Sequence, residues 1–157
     1  MIVIADTSPI NYLVLIDAVD ILPRIFGRVL IPKAVLTELQ QIQTPEKVRA
    51  WCAHLPGWME INSIRSTVTP ALMNLGMGER EAIALALEAD ADLVLIDELR
   101  GRKAAQSLRV QVRGTIGILE HAAHAGMIDL RVSLNKLDQT NFRISQSIRE
   151  DLLHRHP

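Results

Sequence analysis

The sequence predicts an α/β protein built on a parallel sheet. Two stretches carry that expectation, Ile2-Val3-Ile4-Ala5 and Leu93-Val94-Leu95-Ile96. Both are short, apolar and partly β-branched, the composition of strands buried on both faces. The third observation is alternation. Apolar runs are followed by segments with helical spacing, and strands alternating with helices imply a parallel sheet with right-handed crossovers. Ligands bind such sheets along the rim made by the carboxyl ends of the strands. Asp6 and Asp97 both fall at that rim.

At 157 residues the chain fits one domain, residues 1–157, large enough for a single core. Its last part, residues 127–157, reads as a C-terminal helical extension that packs on the core or on a partner. Hydrophobic residues make up 48%, which excludes a disordered chain. Aromatics are only 3%, which argues against an aromatic base-stacking platform. A net charge of −1 gives no global field for nucleic acid and leaves only a local patch. Cys52 is the single cysteine, so an internal disulfide and a multi-cysteine zinc site are excluded. No basic segment precedes the first apolar residues and no apolar run is long enough to cross a bilayer. The expectation is a soluble, cytoplasmic protein without a signal peptide.

Along the chain, Ser8-Pro9 reads as a helix start, with Ser8 as N-cap and Pro9 in the first turn. That leaves the Asp6 carboxylate free. The helical spacing runs to about Ile25, with Asp17 restarting a second helix. Val29-Leu30-Ile31 is a short strand. Ala34 to Ile42 is helical, with Val35, Leu39 and Ile42 on one stripe. Glu38 lies on that stripe or on its flank; burying it unpaired would be costly. A helix from Thr44 to about His54 precedes an edge strand from Trp58 to Ile64 and a polar connection from Ser66 to Asn74.

The helix that starts near Gly78 is rich in Ala and Leu. Its phase puts Glu79 on the face of Ala82, Ile83 and Ala86, while Glu81 sits beside Arg80, Ala84 and Glu88. Either glutamate could instead serve the helix dipole. No Gly-Lys-Ser/Thr follows the glycines, so a phosphate loop is excluded. Asp97 then repeats the Asp6 arrangement, or N-caps the helix from Glu98 to Leu108. Arg100, Arg102, Lys103, Arg109 and Arg113 form either a solvated face or a local phosphate-holding patch. Val110 to Val112 reads as a strand, and Gly114-Thr115-Ile116-Gly117 leads into a helix closed by Gly126. Ile144, Ile148 and Leu152 suggest a final helix. His121, His124, His154 and His156 read as surface residues.

The acids share a place. Asp6 and Asp97 end strands, and Glu38 with one of Glu79 and Glu81 lies on inward helix edges. Carboxylates crowded together repel unless protons or cations intervene. Hard oxygen ligands suit Mg²⁺ or Mn²⁺, which can activate water and steady a leaving oxygen in phosphodiester hydrolysis. A receiver-like phosphate-accepting domain would need a Lys at a later strand end, and Val110-Gln111-Val112-Arg113 has none.

The sequence resembles the PIN-domain nucleases, particularly a bacterial and archaeal PIN-like branch related to toxin ribonucleases. The likeness rests on Asp6-Thr7-Ser8-Pro9, Glu38, Gly78-Glu79-Arg80-Glu81-Ala82-Ile83-Ala84-Leu85-Ala86, Leu93 to Glu98, and Gly114 to Leu119, in that order. It implies a three-layer α/β/α sandwich with a mostly parallel sheet and a metal-dependent ribonuclease site. Asp6 would be the central metal ligand, with Glu38, Glu79 or Glu81, and Asp97 completing the catalytic set. Thr7 or Ser8 would bind a metal-bound water or a ligand, and with Glu98 and Thr115 they are the secondary candidates. Arg100, Arg102 and Lys103 are the phosphate-binding candidates. Family likeness favours Glu81 as the third acid, because Glu81-Ala82-Ile83-Ala84 matches the toxin pattern; helical phase favours Glu79.

The resemblance also implies a single-stranded RNA substrate, an antitoxin protein as partner, as in toxin–antitoxin pairs, and a homodimer, with no membrane association. The expected activity is that of a Mg²⁺- or Mn²⁺-dependent endoribonuclease. Glutamates stand where toxin relatives carry aspartates, and this departure motivates the alternative, a PIN-like module that has lost catalysis and binds nucleic acid or protein.

Overall fold

The computed structural model describes residues 1–66 and 69–157. Among the described residues the strands are β1 (Val3–Ala5), β2 (Val29–Pro32), β3 (Met59–Asn62), β4 (Leu93–Leu95) and β5 (Val112–Arg113). They form one sheet in the order β3-β2-β1-β4-β5, with every pair parallel. β1 is central. Its Ile4 lies opposite Leu30 on one side and Val94 on the other. The chain steps outward from β1 to β3, then returns to β4 on the far side of β1. The strand order therefore reverses between β1 and β4, the position at which open parallel sheets form a crevice.

The helices are α1 (Thr7–Leu15), α2 (Ile21–Phe26), α3 (Lys33–Leu39), α4 (Glu46–Cys52), α5 (Met77–Ala89), α6 (Leu99–Ser107), α7 (Thr115–His124), α8 (Leu130–Asp138) and α9 (Gln146–Arg155). A single 3₁₀ turn covers Pro70–Leu72. Strand residues alternate between two cores, as a period of two requires. Val3, Ala5, Leu93 and Leu95 pack with Leu13 of α1, Leu22 of α2, Ile118 of α7, Leu134 of α8 and Leu152 of α9. Ile4, Val94 and Ile96 pack with Ile83 of α5, Ala105 of α6 and Leu72. The result is an α/β/α sandwich. Each fully buried Leu or Ile contributes roughly 1.5–3 kcal/mol, so both layers are held mainly by aliphatic burial.

Several boundaries differ from those expected. Asp6, not Ser8, occupies the N-cap position of α1; its backbone is extended, and its side chain makes no cap bond. Ser8 lies inside the first turn. Asp17 does not restart a helix: it takes a left-handed turn (φ 59°) after α1, and α2 begins only at Ile21. α3 stops at Leu39, because the Thr44 hydroxyl bonds the Glu38 carbonyl at 2.7 Å and turns the chain. Ile42 is thus 84% exposed rather than part of the stripe. Asp97 does not cap α6, which is preceded by Glu98. The last strand is displaced from 110–112 to Val112–Arg113, with Val110 packed under α6 instead. Ile148 faces out of α9. Of the histidines, His156 is half-buried and meets Glu120 at 3.3 Å. Within the connection expected from Ser66 to Asn74, residues 67–68 lie outside the described residues. No helix among the described residues is long and apolar enough to cross a membrane.

Candidate functional site

Asp6 follows β1 directly, and its backbone N–H still bonds the Leu95 carbonyl of β4 at 2.9 Å. The carboxylate is therefore anchored in the crevice between the two strands. It is 3% exposed, and its Oδ1 has no hydrogen-bond partner among the described residues. Removing a carboxylate from water without partners strongly disfavours the charge. The Asp6 pKa accordingly rises to about 7: burial is the main cause, the Thr7 backbone N–H offsets part of it, and the charges of Glu79, Glu38 and Asp97 raise it further.

Three of the other predicted acids surround this group, and each is seated by a donor. Glu38, at the end of α3, accepts the Thr7 hydroxyl and the Gly78 N–H at 3.0 Å. Asp97, just after β4, accepts the Thr115 N–H at 2.7 Å and its hydroxyl at 2.8 Å. Thr115 begins α7 and is fully buried. Burial raises the Asp97 pKa, opposed by the two Thr115 bonds and the Arg102 charge, with Glu98 adding repulsion. Glu79, in the first turn of α5, is also raised, first by burial and then by Glu98 and Glu38; the Gly76 N–H and Arg100 oppose this.

Glu81 goes elsewhere. Its carboxylate accepts the Ala34 N–H at 3.2 Å, satisfying a free donor at the start of α3, as carboxylates do at helix N-termini. It is not among the charges that act on Asp6. Ser8 makes no side-chain bond to the cluster. Glu98 is exposed beside α6, where its charge reaches Asp97 and Glu79.

The arginines divide. Arg100 bonds the Asn74 carbonyl at 3.0 Å and acts on Glu79. Arg102 stands near Asp97. Arg113 turns away, over the Phe26 ring at 5.9 Å and toward His121. Arg109 sits in a left-handed turn (φ 63°) after α6, and Lys103 is exposed.

Three glycines, unassigned by the sequence reading, seat the acids. A Cβ on Gly78 would lie 2.5 Å from Glu38 Oε2, one on Gly101 2.5 Å from Glu79 Oε2, and one on Gly114 2.9 Å from Asp97 Oδ1. Gly101 also accommodates Ile96 Cδ1. Its place inside α6 was the available signal, since Gly in a helix costs about 1 kcal/mol against Ala.

Among the described residues, no three His, Cys, Asp or Glu side chains converge closely enough to form a ready-made ion cage. The donor chemistry nonetheless fits a hard divalent cation: four carboxylates, with the Asp6 Oδ1 unpartnered. Mg²⁺ commonly binds through one or two carboxylates, waters and a substrate phosphate rather than through an all-protein cage.

A parallel sheet with helices on both faces and acids gathered at the reversal of its strand order describes an open α/β sandwich with an acidic crevice. A family model described as a PIN domain matches residues 2–156, and the chain belongs to the PIN-domain family. Comparison with curated proteins finds no match, and neither does comparison with solved structures.

Proposed function

We propose that this chain is a Mg²⁺- or Mn²⁺-dependent endoribonuclease acting on single-stranded RNA, with Asp6, Glu38, Glu79 and Asp97 as its acidic site. The observation that carries the reading is the Asp6 Oδ1, buried, unpartnered and facing three more acids at the β1–β4 crevice. The nuclease-type fold of the family supports it; RNA as substrate rests on the resemblance to toxin ribonucleases.

A bound divalent cation would supply charge neutralisation and a more acidic water. The protein's own groups supply the rest. Asp6 would hold the ion centrally, with Asp97 and Glu38 turned toward it by Thr115 and Thr7. Arg100 and Arg102 would balance charge on the incoming phosphate. Glu81 is assigned a structural role at α3.

The test is cleavage of single-stranded RNA with Mn²⁺ by the unaltered chain and by Asp6→Asn. Cleavage by the first and loss of about 10² or more in the second is expected; equal rates sink the site. Cleavage of single-stranded DNA at the same rate would overturn the RNA assignment alone. The toxin role is tested by induced expression: growth arrest that Asp6→Asn abolishes is the expected result. One observation favours a second reading, a catalytically silent nucleic-acid- or protein-binding module: the acids do not form a closed cage. Calorimetric titration with Mn²⁺ separates the two, since Asp6-dependent binding belongs only to the first.

A further inference from the structure

Most arginines of this chain are engaged. Arg28 pairs with Glu60, Arg149 with Asp138 at 2.9 Å, and Arg155 with Glu120 at 3.1 Å. Arg113 lies over Phe26. Arg143 is exposed and, like Arg24, Arg65, Arg102, Arg109 and Arg131, forms no ion pair among the described residues; what sets it apart is the loop it sits on.

The loop that carries Arg143, between α8 and α9, is clamped. The Tyr12 hydroxyl of α1 donates to Asn141 Oδ1 at 2.7 Å. The Tyr12 and Phe142 rings meet edge to face, with centroids 4.9 Å apart. Within the loop, the Phe142 N–H bonds the Thr140 hydroxyl at 3.1 Å, and that hydroxyl bonds the Leu137 carbonyl at 2.6 Å. Ser145 then caps α9 through the Ile148 N–H. The loop is thus pinned to α1 immediately before Arg143 and fixed to α9 immediately after it.

Tyr12 ties this loop to the crevice. It lies six residues along α1 from Asp6, about 9 Å at 1.5 Å per residue. Burial raises the pKa of its phenol, the charges of Asp97 and Glu98 raise it further, and that of Arg143 opposes them. An exposed guanidinium without an ion pair therefore sits beside the clamp that joins this loop to α1, the helix that Asp6 opens, in a chain whose net charge of −1 offers no general attraction to a polyanion. Holding a strand across such a pocket requires local cations on the flanking phosphates, and a guanidinium suits phosphate geometry.

We propose that Arg143, on the loop clamped by Tyr12, is a phosphate subsite for single-stranded nucleic acid bound across the acidic crevice. The inference rests on the nuclease reading for its substrate, and it gives the C-terminal helices a second task besides covering the core. Arg143 grips a phosphate flanking the one that would be cleaved. It reads no base, so it acts alike on all sequences.

The test uses the full chain and a short fluorescently labelled oligouridylate. Binding is measured by anisotropy in the Asp6→Asn background between about 50 and 200 mM NaCl. Adding Arg143→Ala should weaken binding about tenfold and reduce the log–log salt slope by about 0.7, the loss of one phosphate contact on a single strand. Arg143→Lys should restore the slope, whereas a packing role would not respond to charge. In the otherwise unaltered chain, Arg143→Ala should raise KM while kcat moves by less than about twofold. Arg131→Ala, on exposed α8 surface, is the control and should leave affinity and slope in place. An unchanged affinity and slope in Arg143→Ala, or no recovery in Arg143→Lys, overturns the subsite. RNA bound with an Arg143-dependent slope but never cleaved keeps the subsite and overturns the nuclease reading. RNA neither bound nor cleaved removes both.

Discussion

The Glu38 carboxylate rests on Gly78: it accepts that residue's N–H at 3.0 Å, and a methyl group there would lie 2.5 Å from its Oε2. The Glu38 carboxylate can therefore lie against the first turn of α5 because position 78 has no side chain. Gly78→Ala separates function from stability. Alanine favours the helix by about 1 kcal/mol, and the atoms it meets belong to a flexible side chain, so the melting temperature should hold or rise. Glu38 must swing away, and Mn²⁺ affinity by calorimetry should fall about tenfold. Undiminished affinity would show that Glu38 holds no ion.

Glu79 and Glu81, two residues apart on α5, should respond in opposite ways. Glu79→Gln should weaken Mn²⁺ binding by about 10-fold or more with little loss of stability. Glu81→Gln should leave Mn²⁺ binding in place and cost about 0.5–1 kcal/mol in urea unfolding, because the Ala34 N–H loses a charged acceptor at a helix start. The reverse pattern would transfer the metal role to Glu81.

The buried acids make stability fall as pH rises when no cation is present. The Asp6 pKa is raised to about 7 in the folded chain, against about 4 when unfolded. Below about pH 4 both states are protonated and no stability is lost. Between about pH 4 and 7 the folded state loses stability, because it holds a proton that the unfolded chain releases. Above about 7 the Asp6 contribution levels off, roughly 4 kcal/mol lower. Asp97 and Glu79, also raised by burial, act in the same direction. Urea unfolding in EDTA should show this decline, and Asp6→Asn should flatten it. Mn²⁺ should restore stability at the alkaline end by binding the folded state. A stability that climbs over this range would contradict the burial of these groups.

Thr115→Val removes the hydroxyl that Asp97 accepts and keeps the side chain's shape. Asp97 then loses one of the bonds that oppose its raised pKa, so its pKa should climb further. The acid limb of the activity–pH profile should move to higher pH, and stability should drop by about 1–3 kcal/mol. An unmoved limb would mean that Asp97 does not control the rate.

The sheet and its two rim aspartates were legible because the relevant signals are local. Ile2–Ala5 and Leu93–Ile96 are apolar on both alternating faces, which only an interior strand requires, and an acid follows each. Helical phase likewise separated Glu79 from Glu81, although motif likeness pointed the other way. Failures came where a distant group decided the outcome. For Asp97 the sequence leaves rim acid and helix cap both open, and Thr115, 18 residues on, decides between them by donating to it twice. Ile42 fits a stripe until the Thr44 hydroxyl closes α3 early. At the first helix Ser8-Pro9 reads as the start, but the chain already turns into α1 at the sheet rim, which puts Asp6 at the N-cap position. The three glycine seats depend on pairs of residues far apart in sequence, so beyond the odd place of Gly101 inside a helix the sequence carries no trace of them.

The placement of β1 between β2 and β4 has a temporal consequence during synthesis. The first of the sheet's strands to be made is its middle one, and Asp97 follows Asp6 some ninety residues later. Until β4 docks and Thr115 follows it, a nascent chain carries Asp6, Glu38 and Glu79 without the opposite wall of the crevice. Whatever chemistry the pocket performs is withheld until both walls of the crevice have been made, so a growing polypeptide would be inert until then.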